Sequence, residues 1–129
     1  MANRWLALGC LFGALGVAAG AFGAHALRSR IGADAMQWFE TGVHYQLVHA
    51  LALVGVGLAG DRCAPRQRQA AGALFAAGIV LFSGSLYALA LGGTRALGAL
   101  TPFGGTAWIA GWIVFAVGSW RSGRPMASR

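Results

Sequence analysis

Four stretches of this chain contain no Asp, Glu, Lys or Arg: Trp5–Leu27, Thr41–Gly60, Gln69–Thr94 and Ala96–Trp120, of 23, 20, 26 and 25 residues. A helix needs about 20 mostly apolar residues to cross the hydrocarbon core of a bilayer. Each stretch is long enough to cross once, and none is long enough to cross twice. Hydrocarbon offers no hydrogen bonds, so a crossing segment must satisfy its own backbone, and a helix does so. The expectation is an all-α integral membrane bundle of four transmembrane helices, over about residues 5–27, 36–60, 69–91 and 102–120. The 129 residues allow one domain.

Composition excludes a water-soluble alternative. Hydrophobic residues make up 57% and charged residues only 10% of the chain, against about a quarter charged in soluble domains. The net charge of +7 comes from ten Arg and no Lys. These Arg residues flank the apolar stretches and form no basic surface interleaved with aromatics, so nucleic acid is not the expected partner. Their distribution reads as topology. Arg4, Arg62, Arg66, Arg68, Arg121, Arg124 and Arg129 fall on one side, and Arg28, Arg30 and Arg95 on the other. By the positive-inside rule both termini are expected in the cytoplasm.

Arg4, the first apolar run and Ala24-His25-Ala26 resemble a signal peptide, but the run is long for one and reads as a membrane helix. Cys10 and Cys63 both lie toward the cytoplasmic side, where thiols stay reduced, and two lone cysteines make no metal motif.

In the first helix Gly9, Gly16 and Gly23 recur every seven residues, with Gly13 and Gly20 beside them; Gly104, Gly111 and Gly118 repeat the spacing in the fourth. Seven residues are about two turns, so these glycines line one face and are expected to pack helices closely. Asp34 with Gln37 resembles a capping box opening the second helix. Pro65 is expected in the loop Asp61–Arg68, Gly92-Gly93 at the end of the third helix, and Thr101-Pro102 as N-cap and first-turn proline of the fourth.

Polar residues within such helices are informative, because each must find a partner. Thr41, Tyr45 and His49 share a stripe of the second helix, with Gln46 beside it; Ser83 and Tyr87 share a face of the third, and Ser85 points away. His25 ends the first helix and His44 begins the second. Counted from the helix ends, nearly all lie in the outer half of the membrane, with His49 near the middle. They either bond one another across helices or line a polar pocket open to the outside: His25, His44, Tyr45, Gln46, His49, Ser83, Ser85 and Tyr87 are the candidates. His44 and His49, five apart, point away from each other and do not match a helical metal motif. His25 could approach His44, with Glu40 one turn before it, but no spacing requires a metal or a haem, and no cofactor is expected. No Ser–His–acid set is visible, and Ser83-Gly84-Ser85 is not a nucleophile elbow.

Several motifs occur in order along nearly the whole chain. They are Gly20-Ala21-Phe22-Gly23-Ala24-His25-Ala26-Leu27 and His44-Tyr45-Gln46-Leu47-Val48-His49-Ala50-Leu51, then Phe82-Ser83-Gly84-Ser85-Leu86-Tyr87, Thr101-Pro102-Phe103-Gly104-Gly105 and Gly111-Trp112. With them the chain resembles the YgdD/YwdK-type family of small membrane proteins. The resemblance implies a four-helix protein of a bacterial inner membrane, with a mitochondrial relative in animals, and it supplies no activity.

The leading expectation is a non-enzymatic bundle acting by association, as an accessory subunit, a scaffold or a homo-oligomer in contact with membrane lipids. A small oligomeric transporter or channel lined by His49, Tyr45 and Gln46 is the alternative, with His25, His44 and Glu40 at its mouth. A histidine-based metal or haem protein is the second.

Overall fold

A computed structural model describes residues 3–122; Arg124 and Arg129 lie outside them. Four helices are long and apolar enough to cross a membrane: α1 (Arg4–Leu27), α2 (Ala33–Leu58), α3 (Pro65–Ala90) and α4 (Thr101–Ser122), the last led in by a 3₁₀ turn over Arg95–Leu100. Two π turns interrupt regular winding, Gly23–Leu27 at the end of α1 and Ile79–Ser83 within α3.

The helix starts differ from expectation for local reasons. Gly32, in extended conformation, holds the cap position of α2, and Asp34 sits inside the first turn rather than capping it. There its carboxylate meets the positive end of the helix dipole. Pro65 opens α3 instead of lying in a loop, because a proline in the first turn sacrifices no helical hydrogen bond. Thr101 is itself helical, since the 3₁₀ turn runs directly into α4. Its hydroxyl is therefore released from capping and pairs with Ser85. Gly92, at φ 97°, adopts the left-handed conformation that turns the chain away from α3. At the start of α1 the Asn3 side chain accepts from the Leu6 amide and donates to the Gly57 carbonyl, capping α1 and tying it to α2.

α2 and α3 form the central pair, with α1 on the flank of α2 and α4 on the flank of α3. The Ala64 amide donates to the Gly118 carbonyl at 3.2 Å, so the described chain ends and the α2–α3 connection share one end of the bundle, called here the terminal end.

The glycine faces turn inward. A Cβ on Gly9 would stand 2.7 Å from the Val54 amide, one on Gly16 2.7 Å from Leu47, and one on Gly23 2.9 Å from Phe39, all on α2. Gly13 and Gly20 have more room, at 4.0 Å from Ala50 and 3.3 Å from Val43. Along α4, Gly104 abuts the Phe82 backbone, Gly111 meets Phe75 and Gly118 meets Cys63 and Gln67. Without a hydrophobic force between helices in lipid, this close approach supplies the dispersion contact that holds them together. Both glycine stripes are thus used up inside the molecule.

Two apolar clusters make the core. Trp5, Ala52, Leu53, Val56, Ala71, Phe75, Ile79 and Trp108 pack toward the terminal end. Leu27, Met36, Phe39 and Ala90 pack toward the opposite end. Between them on α2 and α3 lie Gly42, Gln46, Ser83 and Tyr87.

Candidate functional site

Gln46 lies in that intervening layer because it follows Phe39 and Gly42 on the inward face of α2, and it is buried. Its Nε2 donates to the Phe12 carbonyl of α1 at 2.8 Å, and its Oε1 accepts from the Tyr87 hydroxyl of α3 at 2.8 Å. One amide thereby joins three helices. Ser83, fully buried, donates to the Gly42 carbonyl at 2.7 Å. The Tyr87 ring packs against Gly42, where a Cβ would come within 2.8 Å of it. The carbonyls of Phe12 and Gly42 accept a side-chain proton on a second lone pair.

Ser85 leaves by the other face of α3. Its hydroxyl donates to the Phe82 carbonyl at 2.9 Å and shares a 2.7 Å bond with Thr101, tying α3 to α4. The π turn lies just before this pair. A π turn holds one residue more than an α turn, and it offsets the side chains on either side of it. Phe75 before it, and Ile79 and Ser83 at its two ends, can all face the neighbouring helices.

A third set is aromatic. His49 is buried and stacks on Trp108, with ring centroids 3.7 Å apart and planes inclined by 3°. Its Nδ1 lies 2.8 Å from the Tyr45 carbonyl, which can only accept, so the proton is on Nδ1. Nε2 is left to accept from the Trp112 indole N–H at 3.3 Å. A proton on Nε2 would set two donors against each other, so this arrangement holds the neutral imidazole. The Trp108 indole N–H donates to the Phe75 carbonyl at 3.2 Å. Its ring enters the gap left by Gly78, where any Cβ would collide with it. Tyr45 stacks on the other end of Trp108, with centroids 5.7 Å apart. Tyr45 and Trp112 remain 42% and 45% exposed. The result is an aromatic ledge between α2 and α4, on the outer surface of the bundle about halfway along it.

The eight polar candidates therefore fall into separate sets. Gln46, Ser83 and Tyr87 bind within the α1–α2–α3 layer, Ser85 bonds toward α4, and Tyr45 with His49 forms the ledge. His25 and His44 are both exposed, and the His44 ring meets Tyr45 edge-on with centroids 5.5 Å apart. Glu40 is engaged by Arg28 at 3.1 Å. Among the described residues no three His, Cys, Asp or Glu come together as a metal site, and no buried side-chain nitrogen or oxygen lacks a hydrogen-bond partner. Trp108, the centre of the ledge, was not singled out by the sequence. The signal that could have found it is Gly78, a gap in one helix of the size an indole needs from another.

Residues 19–105 match the family model described as a protein of unknown function, DUF423. A UPF0382 membrane protein of Haemophilus influenzae is 42% identical over 122 residues, covering 95% of this chain and 98% of the relative. The UPF0382 inner membrane protein YgdD of Escherichia coli is 41% identical, covering 94% of this chain and 93% of its own. The UPF0382 membrane protein YwdK of Bacillus subtilis is 44% identical over 114 residues, covering 88% and 93%. No solved structure matches the chain. With four helices fit to cross a bilayer and relatives that are membrane proteins along nearly their whole length, this chain belongs to the DUF423 family of membrane proteins.

Proposed function

We propose that this protein is a non-enzymatic membrane bundle that works by lateral association, with a second copy of itself or as a subunit of a larger membrane complex, and with both termini in the cytoplasm. The observation that carries the reading is the Tyr45 hydroxyl. Tyr45 sits about halfway along α2 on the outward ledge, and among the described residues its hydroxyl has no hydrogen-bond partner. In hydrocarbon such a group is costly until it finds an acceptor or donor. A neighbouring membrane chain would supply one.

The rest of the ledge is suited to the same task. His49 and Trp108 hold the rings of Tyr45 and Trp112 in fixed orientations, so little side-chain entropy remains to be lost on contact. Engagement of both His49 nitrogens and of every buried polar side chain among the described residues favours a fastening role for these groups over conduction or metal binding.

The test is thiol crosslinking in native membranes, in a Cys10→Ser background, with Ile109→Cys placed on the exposed side of α4 one turn from Trp112. A crosslink to a second copy or to another membrane subunit is expected, weakened by Tyr45→Phe, with none from Leu11→Cys on the exposed side of α1. A chain that stays monomeric at every reagent level, and runs alone in native mass spectrometry from mild detergent, would end the proposal.

A further inference from the structure

The edge of α4 away from the ledge carries a different feature. A groove of about 340 Å³ runs between the start of α3 and the second half of α4, lined by Arg66, Gln67, Ala70, Ile113, Val114 and Val117. Its polarity is graded along the bundle axis. Arg66 and Gln67 stand at the terminal end, in the first turn of α3. Ala70, Val117 and Ile113 follow toward the bundle centre, and Ile113 and Val117 are exposed.

The charge around the mouth is one-sided. The terminal end carries Arg4, Arg62, Arg66, Arg68 and Arg121 against Asp61 alone among the described residues. Arg4 is engaged by Gln69, and Arg68 donates to the Gly60 carbonyl at 2.7 Å. Arg62, Arg66 and Arg121 make no hydrogen bond or ion pair among the described residues. A guanidinium at the rim of an apolar groove, at the depth where a membrane helix meets water, is complementary to one kind of molecule. It can bind a phosphate in bidentate fashion while hydrocarbon fills the space below.

We propose that this groove is a binding site for an anionic phospholipid, whose phosphate pairs with Arg66 and whose acyl chain lies along Ala70, Val117 and Ile113. Basic recesses between membrane helices select anionic headgroups over zwitterionic ones because each nearby Arg adds attraction to the extra negative charge. Arg62 and Arg121 enlarge the field at the same end without lining the groove wall.

Native mass spectrometry of the full chain in mild detergent tests this, with dioleoyl phosphatidylglycerol and dioleoyl phosphatidylcholine titrated separately. Phosphatidylglycerol adducts are expected about fivefold in excess, the effect of one well-placed Arg. Arg66→Gln, an exposed position where folding is undisturbed, should reduce them to the phosphatidylcholine level. Val117→Trp, which fills the apolar part, should reduce both lipids. Arg95→Gln at the opposite end should change nothing. Equal retention of the two lipids would overturn the proposal, as would equal losses from Arg66→Gln and Arg95→Gln. Displacement of phosphatidylglycerol by inorganic phosphate, with Val117→Trp silent, would reveal an anion contact and no lipid site, and would overturn it equally.

Discussion

Gln46 carries two hydrogen bonds in different directions from one side chain, and it is the residue at which α1, α2 and α3 meet. Hydrogen bonds between membrane helices average about 0.6 kcal/mol, because the unfolded helices also find partners in the bilayer. Gln46→Leu keeps the side chain's bulk and removes both bonds. It should therefore cost about 1 kcal/mol in a reversible unfolding titration in mixed micelles, with Tyr87→Phe costing about half as much. The double variant should add little to Gln46→Leu, since the two residues share a bond. Additive losses would mean that the Gln46–Tyr87 bond contributes nothing. That Gln46 needed a partner was legible in the sequence, since a polar side chain in an uncharged stretch must bond to something. Which partner was not: Phe12 offers only its backbone carbonyl, and every residue of a helix has one.

At the scale of helices, close packing comes from two arrangements, and only one was visible beforehand. Gly9, Gly16 and Gly23 repeat every seven residues, so the face they share could be read from spacing. Gly72 and Gly78 do not repeat, yet they accept the indoles of Trp5 and Trp108. In a soluble protein a buried tryptophan stands out by hydropathy. In lipid both the inside and the outside of a helix are apolar, and the pattern that separates core from surface disappears. Helix starts were obscured for a related reason. α3 reaches back to Pro65 through Arg66 and Arg68, into the interface where charges are welcome. Gly78→Ala should force Trp108 aside and destabilise the protein by about 1–3 kcal/mol, the usual cost of overpacking. Gly84→Ala meets nothing within 4 Å. It should be neutral or stabilising by up to about 1 kcal/mol through helix propensity. Thermal denaturation of the two purified variants measures the contrast, and equal losses would contradict the packing described.

For the whole molecule, an even number of crossings brings both chain ends to one face of the membrane, and the arginines bear on which face. Among the described residues the terminal end holds Arg4, Arg62, Arg66, Arg68 and Arg121, and the other holds Arg28, Arg30 and Arg95, with Glu40 offsetting Arg28. Arginine is retained on the cytoplasmic side during insertion. Green fluorescent protein fused to either end should fluoresce in intact bacteria, and alkaline phosphatase fused there should be inactive. Active phosphatase at both ends would invert the orientation, and activity at one end alone would contradict four crossings.

The π turn at Ile79–Ser83 has a bearing on how α3 can change. It holds a surplus link, and Val80, inside it, lies on the outer surface of the bundle and is 61% exposed. Dropping that link would return the stretch to ordinary winding while Phe75 and Ser83 kept their neighbours. The same loss at Ala73 would swing the rest of the helix by about 100°. Chain length, usually the least forgiving variable in a membrane span, has some slack within α3.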